Sequence, residues 1–191
     1  MTVLNKINNK LWKYKLARCR SEFIFMDTSS IIDLPIQLDC SICSIAKNTH
    51  IHTSSRIVDC SGGGHFIVKE NCGIGYNFTA LVGADIVIGN DVAIASNVFI
   101  ASGSHGINPE IEIPYGEQKY VCQTVEIKNG AWIGENCNIL PGVVIGEKAV
   151  IGAGSCVTKI IPDYSIAVGN PAKVIKKYNF ETHRWERCYE E

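Results

Sequence analysis

Ile127, Ile133, Ile139, Ile145, Ile151 and Val157 recur every six residues, a spacing that fits neither the 3.6-residue turn of a helix nor the alternation of a short strand. A sustained period of six marks a hexapeptide β-helix. Three six-residue faces close one triangular coil, and stacked coils bring the aliphatic positions into interior ladders. Val82, Ile88, Ile94 and Ile100 keep the step, supported by Ile86, Val92 and Val98 two positions earlier. Val68 and Ile74 keep it too, but Val82 follows Ile74 by eight residues, which predicts a short outward bulge within 75–85. Ile45, Ile51 and Ile57 form a weaker, earlier set, with Ser61–Gly64 as a loop between the two. Gly89, Gly134, Gly146 and Gly152 each follow a repeat aliphatic, as expected at tight corners that exclude bulky side chains.

Both ends break the period. The pattern predicts a basic helical cap over residues 1–22, an all-β parallel β-helix over 23–161 and a C-terminal extension over 162–191 containing a helix. In the cap, Leu4, Ile7, Leu11 and Tyr14 fall at helical spacing among Lys6, Lys10, Lys13, Lys15, Arg18 and Arg20. Such a helix covers the open end of a coil stack, as repeat proteins require. A second reading places the basic segment against an anionic membrane surface. Pro162 and Pro171 stop the repeat, and Lys173–Arg187 is expected to form a helix packing Val174, Tyr178 and Trp185.

Composition narrows the class. With 46% hydrophobic residues the chain can build a core, and its net charge of −1 argues against a nucleic-acid partner. It contains no apolar run of the ~18 residues a membrane span needs. The first residues lack an apolar signal core, so a cytoplasmic location is expected. Nine cysteines, an odd number, do not read as a disulfide framework. Cys40 and Cys43, followed by His50 and His52, superficially resemble a zinc site. Cys72, Cys137 and Cys156 fall inside repeats, where a small apolar side chain packs a coil, and no metal is expected. His50, His52, His65 and His183 are read as surface or packing residues.

The six-residue step disappears between Ile100 and Ile127, where the loop 102–124 carries Gly103, Gly106, Pro109, Pro114 and Gly116. A long loop extruded from a rigid scaffold is usually functional. It begins with Ser104-His105-Gly106. Histidine, with an ordinary pKa near about 6.5, is suited to accept a proton from a hydroxyl at neutral pH.

The runs Trp132-Ile133-Gly134, Ile139-Leu140-Pro141-Gly142-Val143, Val150-Ile151-Gly152-Ala153-Gly154-Ser155, Val157-Thr158-Lys159 and Val168-Gly169-Asn170-Pro171-Ala172-Lys173 resemble the hexapeptide-repeat acetyltransferases. The resemblance spans residues 66–176 and is strongest to the galactoside and maltose acetyltransferases and the O-acetyltransferases of bacterial surface polysaccharides. It implies a left-handed coil and a homotrimer with active sites between subunits. It also implies direct transfer from acetyl-CoA, with His105 as the catalytic base. On the cofactor side it assigns Trp132 to the pantetheine channel and the backbone of Glu135 and Ala153 to the pantetheine amides. Thr158 and Lys159 fall near the adenosine end, with Lys173 and Lys176 as further cations for phosphates. On the acceptor side Gly75 and Gly83 stand where the sugar enzymes carry Asn and Asp, with Asn77 and Asp85 each two residues away. That departure points away from a small free sugar and toward a polymeric or lipid-linked saccharide. The competing expectations are N-acetylation of an amino sugar or antibiotic on the same coil, and a non-catalytic β-helix scaffold.

Overall fold

The chain is described here from a computed structural model, which covers residues 11–188 apart from 13, 19, 61 and 62. The six-residue period becomes three parallel faces. On the first, Ile45, Val68, Ile88, Ile127 and Ile145 lie one above another. The second stacks Ile32, Ile51, Ile74, Ile94, Ile133 and Ile151. Ile57, Ala80, Ile100, Ile139 and Val157 make the third. All of these side chains are 4% exposed or less, so each coil lays one aliphatic per face onto the coil before it. Backbone bonds run along the stack in the same direction: Gly75 N–H donates to Ile94 O and Gly134 N–H to Ile151 O, each at 2.8 Å.

Turning from face to face requires left-handed backbone, which asparagine tolerates better than other non-glycine residues. Asn48, Asn71 and Asp91 turn the first corner and Ser54, Asn77, Asn97 and Asn136 the second, with φ between 54° and 68°. Their side chains also join coil to coil. Asn71 Nδ2 donates to Asp91 Oδ1 at 3.0 Å, and Asn77 Nδ2 to Asn97 Oδ1 at 3.1 Å. Gly134 answers a different need, because a Cβ there would sit 2.6 Å from the Ala153 nitrogen one coil on.

The third corner takes the surplus residues. Ile57 to Val68 is eleven residues, Ala80 to Ile88 is eight and Ile100 to Ile127 is twenty-seven, against six for a regular step. The predicted bulge within 75–85 is therefore narrower than its sequence limits. Ala80, rather than Val82, keeps the ladder, and the two extra residues follow it.

The described part of the N-terminal segment is helical at 11, 12 and 14–18; Leu4, Ile7, Lys6, Lys10 and Lys13 lie outside the described residues. The apolar stripe is rotated from the expected one. Leu11 and Tyr14 point to solvent, whereas Leu16 is buried and Trp12 Nε1–H donates to Ile32 O at 2.8 Å. Trp12 and Leu16 are four apart and share a helical face, which a stripe through 11 and 14 does not. Arg20 then ties the first coil, donating to the carbonyls of Asp27 at 2.7 Å and Ser30 at 3.2 Å.

At the other end the expected helix is a β-hairpin. Lys173–Asn179 pairs antiparallel with Ser165–Val168, and Arg184–Arg187 pairs with Lys173–Asn179. The last strand of the second face would otherwise present an unpaired edge, which this hairpin covers. Val174 and Ile175 favour the extended state. Val174 packs on the core, while Tyr178 meets Trp185 and Phe180 within the hairpin itself, at centroid distances of 5.4 and 5.1 Å. Asn170-Pro171, between the strands Ser165–Val168 and Lys173–Asn179, is cis.

Cys43, Cys72 and Cys137 are buried in the coil interior; Cys156 instead occupies an outward position of the third face and is half-buried. Burial pushes the Cys43 thiol far above its ordinary range, so it is a protonated packing group. Truncating a ladder residue tests the stack. Ile133→Ala should cost about 2–5 kcal/mol in urea unfolding at fixed protein concentration. A loss below about 1 kcal/mol would contradict the role of the ladder.

Candidate active site

The long loop is an antiparallel hairpin that leaves the third corner. Gly103–His105 pairs with Tyr120–Cys122, setting Gly103 opposite Cys122, Ser104 opposite Val121 and His105 opposite Tyr120. Its root is held by Ser102, which is fully buried. The Ser102 hydroxyl donates to Ala84 O at 2.6 Å and accepts the amides of Gly83 at 2.9 Å and Ala84 at 3.1 Å. Gln123 N–H closes the root from the other strand by donating to Ser102 O at 2.8 Å. One hydroxyl thus fastens the hairpin to the surplus residues of the coil beneath it. Gly103 is required by contact, since a Cβ would lie 2.6 Å from the Tyr120 ring.

Farther out, Gln118 is 5% exposed and clamps the loop with its side-chain amide. Its Oε1 accepts Asn108 N–H, and its Nε2 donates to Asn108 O, both at 2.9 Å. The roles of Ser102, Gln118 and Tyr120 were not legible in the sequence, where they read as ordinary loop residues.

His105 is exposed, and its ring meets the Tyr120 ring at 5.0 Å and 83°, edge to face. Burial, then the neighbouring Cys60, push the Tyr120 phenol upward, so it stays protonated and neutral. Glu110, Glu112 and Glu117 are all exposed, and among the described residues no carboxylate hydrogen-bonds His105. The imidazole is therefore presented to solvent on a strand paired with Tyr120–Cys122.

The other candidate residues divide into two groups. Gly83, Asp85, Thr158 and Lys159 lie at the third corner with the His105 hairpin. A Cβ on Gly83 would come 2.9 Å from Cys122 Sγ, so Gly83 sits directly beneath the hairpin. Asp85 is occupied by His65, with Oδ1 3.0 Å from Nδ1 and 2.9 Å from the backbone amide. Trp132 projects from the second face, 56% exposed, between Ala93 and Val150 in its row. Gly75, Asn77, Glu135 and Ala153 follow at the second corner. Asn77 belongs to the asparagine ladder, which continues as Asn97 Nδ2 donates to Glu135 Oε1 at 3.3 Å. The Glu135 carbonyl accepts Gly154 N–H at 2.7 Å, and Ala153 beside it is exposed. Lys173 and Lys176 extend the second face on the C-terminal hairpin, opposite Val168 and Ile166. Between the groups runs the third face, whose six residues span at most about 20 Å at about 3.3 Å each.

Residues 124–159 match the family model described as bacterial transferase hexapeptide, six repeats. A protein of Escherichia coli K12 named as a lipopolysaccharide biosynthesis O-acetyl transferase, WbbJ, is 43% identical over 40% of this chain and 39% of its own. A Saccharomyces cerevisiae protein named as an acetyltransferase, YJL218W, is 40% identical over 62% of this chain and 59% of its own. The chain thus spans about two fifths to three fifths of the length of these curated relatives. Among solved structures, AntD, an N-acyltransferase from Bacillus cereus in complex with dTDP and 3-hydroxybutyryl-CoA, superposes with a TM-score of 0.74. The identity is 21%, and the match covers 89% of this chain and 90% of that one. This likeness carries the fold, a left-handed parallel β-helix. The resemblance to hexapeptide-repeat acetyltransferases read from the sequence is borne out.

Removing the root hydroxyl gives a direct test of how the hairpin is held. Ser102→Ala leaves the Gly83 and Ala84 amides without their acceptor, which should cost about 1–3 kcal/mol. Amide hydrogen exchange across 103–122 should accelerate relative to the interior ladders. Unchanged protection there would show that Ser102 does not anchor the hairpin.

Proposed function

We propose that this chain is an acetyl-CoA-dependent O-acetyltransferase acting on a saccharide hydroxyl, with His105 as its general base. The observation that carries the reading is the exposed imidazole on a hairpin fastened to a rigid hexapeptide coil. A saccharide hydroxyl is a poor nucleophile until its proton has somewhere to go. His105 accepts that proton as the oxygen attacks the thioester carbonyl. The tetrahedral oxyanion collapses, the carbon–sulfur bond breaks, and the CoA sulfur leaves as the imidazolium returns a proton to it. No covalent enzyme intermediate is needed, only a positioned acceptor and thioester.

Acetyl-CoA as co-substrate suits the remaining residues. Trp132 offers an exposed aromatic wall, and the Glu135 and Ala153 backbone offers partners for pantetheine amides. Thr158, Lys159, Lys173 and Lys176 supply hydroxyl and ammonium groups for the adenosine and phosphate end. Because Trp132, Glu135 and Ala153 lie on the second face and at the second corner, while His105 stands at the third corner with Thr158 and Lys159, one chain does not bring the whole set together. A homotrimer, in which a neighbour's second corner faces this chain's third, completes the site.

The acceptor side favours a large glycan. Gly75 and Gly83 have no side chains to hold a small sugar, and Asn77 and Asp85 are engaged with Asn97 and His65. A polymeric or lipid-linked saccharide, as in the cytoplasmic assembly of a surface polysaccharide, fits an open site of that kind.

Release of free CoA should be measured with a panel of neutral and amino-sugar glycans. His105→Ala should lower kcat at least about a hundredfold while acetyl-CoA still binds. Trp132→Ala should raise KM for acetyl-CoA about tenfold, the loss of one aromatic contact worth roughly 1.4 kcal/mol. Release driven by amino sugars alone would reassign the reaction to N-acetylation. Absence of both release and acetyl-CoA binding would leave a scaffold.

A further inference from the structure

We propose that Asp33, His50 and His52 form a site for a divalent transition metal on the second face of the coil, independent of the acyl-transfer reading. His50 and His52 flank the buried Ile51, so both side chains leave the same side of one strand. One coil earlier, Ile31 pairs with His50 and Ile32 with Ile51, which sets Asp33 beside His52. Asp33 Oδ2 lies 3.0 Å from His50 Nε2 and 3.6 Å from His52 Nδ1. All three candidate ligand atoms fall within 4.8 Å of one another. Ligands about 2.0–2.1 Å from a tetrahedral metal stand about 3.3 Å apart, so these atoms need only small movements to share one ion.

The site is also built. The two imidazoles pack at 4.0 Å between centroids, and Tyr76 from the next coil stacks on His52 at 4.7 Å and 24°. These contacts fix the rings before any ion arrives, which lowers the cost of ordering them. Above His50 in its row stands Gly73, where an added Cβ would meet nothing within 4 Å. That gap leaves room for a water or another oxygen ligand to complete a three-residue set.

Two imidazoles and one carboxylate select Zn2+, Co2+ or Ni2+ over Mg2+ and Ca2+, which prefer oxygen ligands. Among the described residues the group holds Asp33, His50 and His52 without Cys40 or Cys43, and Cys43 is buried. His65 pairs with Asp85, and among the described residues it has no second imidazole beside it, so it serves as a control.

The test is Co2+ titration of chelator-treated protein, followed by visible ligand-field absorption and displacement with Zn2+. Wild type should bind one ion with a d–d spectrum of nitrogen and oxygen ligands. His52→Ala and Asp33→Asn should each weaken binding more than the roughly hundredfold that loss of an outer-shell partner can cost. His65→Ala should bind as wild type does. Absence of a Co2+ spectrum in wild type would overturn the proposal. So would a spectrum kept in His52→Ala, or a near-ultraviolet thiolate band showing that cysteines hold the ion.

Discussion

Each coil must stay in register with the one before it. A shift of one residue would turn the interior aliphatics outward along a whole face, so the faces tolerate no insertion. Extra residues can enter only at corners, and here the large insertions share the third one. They are not independent. The Ser102 hydroxyl of the longest grips the amides of Gly83 and Ala84 in the shorter one beneath. Gly64 of the first insertion approaches the same Ala84 so closely that a Cβ would lie 2.6 Å from its carbonyl carbon. The His105 hairpin therefore stands on two earlier insertions, and a segment that leaves the period just after Ile100 is anchored to the coil.

The ladder was legible because burial demands an aliphatic residue at every sixth position, and Ile or Val is easy to see. Ala80 is not legible in this way, because alanine fills an interior position without standing out, and Val82 nearby mimics the step. Loss of the period after Ile100 located the extruded segment, and His105 within it. That the segment forms an antiparallel hairpin depends on cross-strand pairs such as His105 with Tyr120, which no local pattern encodes. The C-terminal strand was misread as helix because its charged and apolar residues satisfy either period. An open sheet edge then decided the matter, a tertiary fact absent from local sequence. The N-terminal helix differs in another way: the helical spacing in the sequence runs through Leu11 and Tyr14, while Trp12 and Leu16 face the coil.

Asp33, His50 and His52 illustrate the same limit from the other side. In the sequence His50 and His52 stand beside the Cys40–Cys43 pair and read as surface or packing residues, with Asp33 too distant along the chain to join them. Once the coil length is known, a residue nineteen positions before His52 becomes its lateral neighbour, and Asp33 is that residue. In a repeat fold, the neighbours that create chemistry sit one coil away, and searching at coil spacing would have found this group.

Coil geometry also governs what a single chain can do on the proposed reaction. The corner bearing His105 and the corner bearing Glu135 and Ala153 are edges of the same third face, and a flat ladder cannot fold them together. Lengthening the hairpin would not help, because Ser102 holds its root to its own corner. In the proposed reaction, His105 and the proposed pantetheine partners Trp132, Glu135 and Ala153 are therefore to be brought together by a second chain. Under that arrangement every site draws its base from one chain and its thioester path from the next. On that proposal, activity rests on association of the coils as directly as on His105 itself.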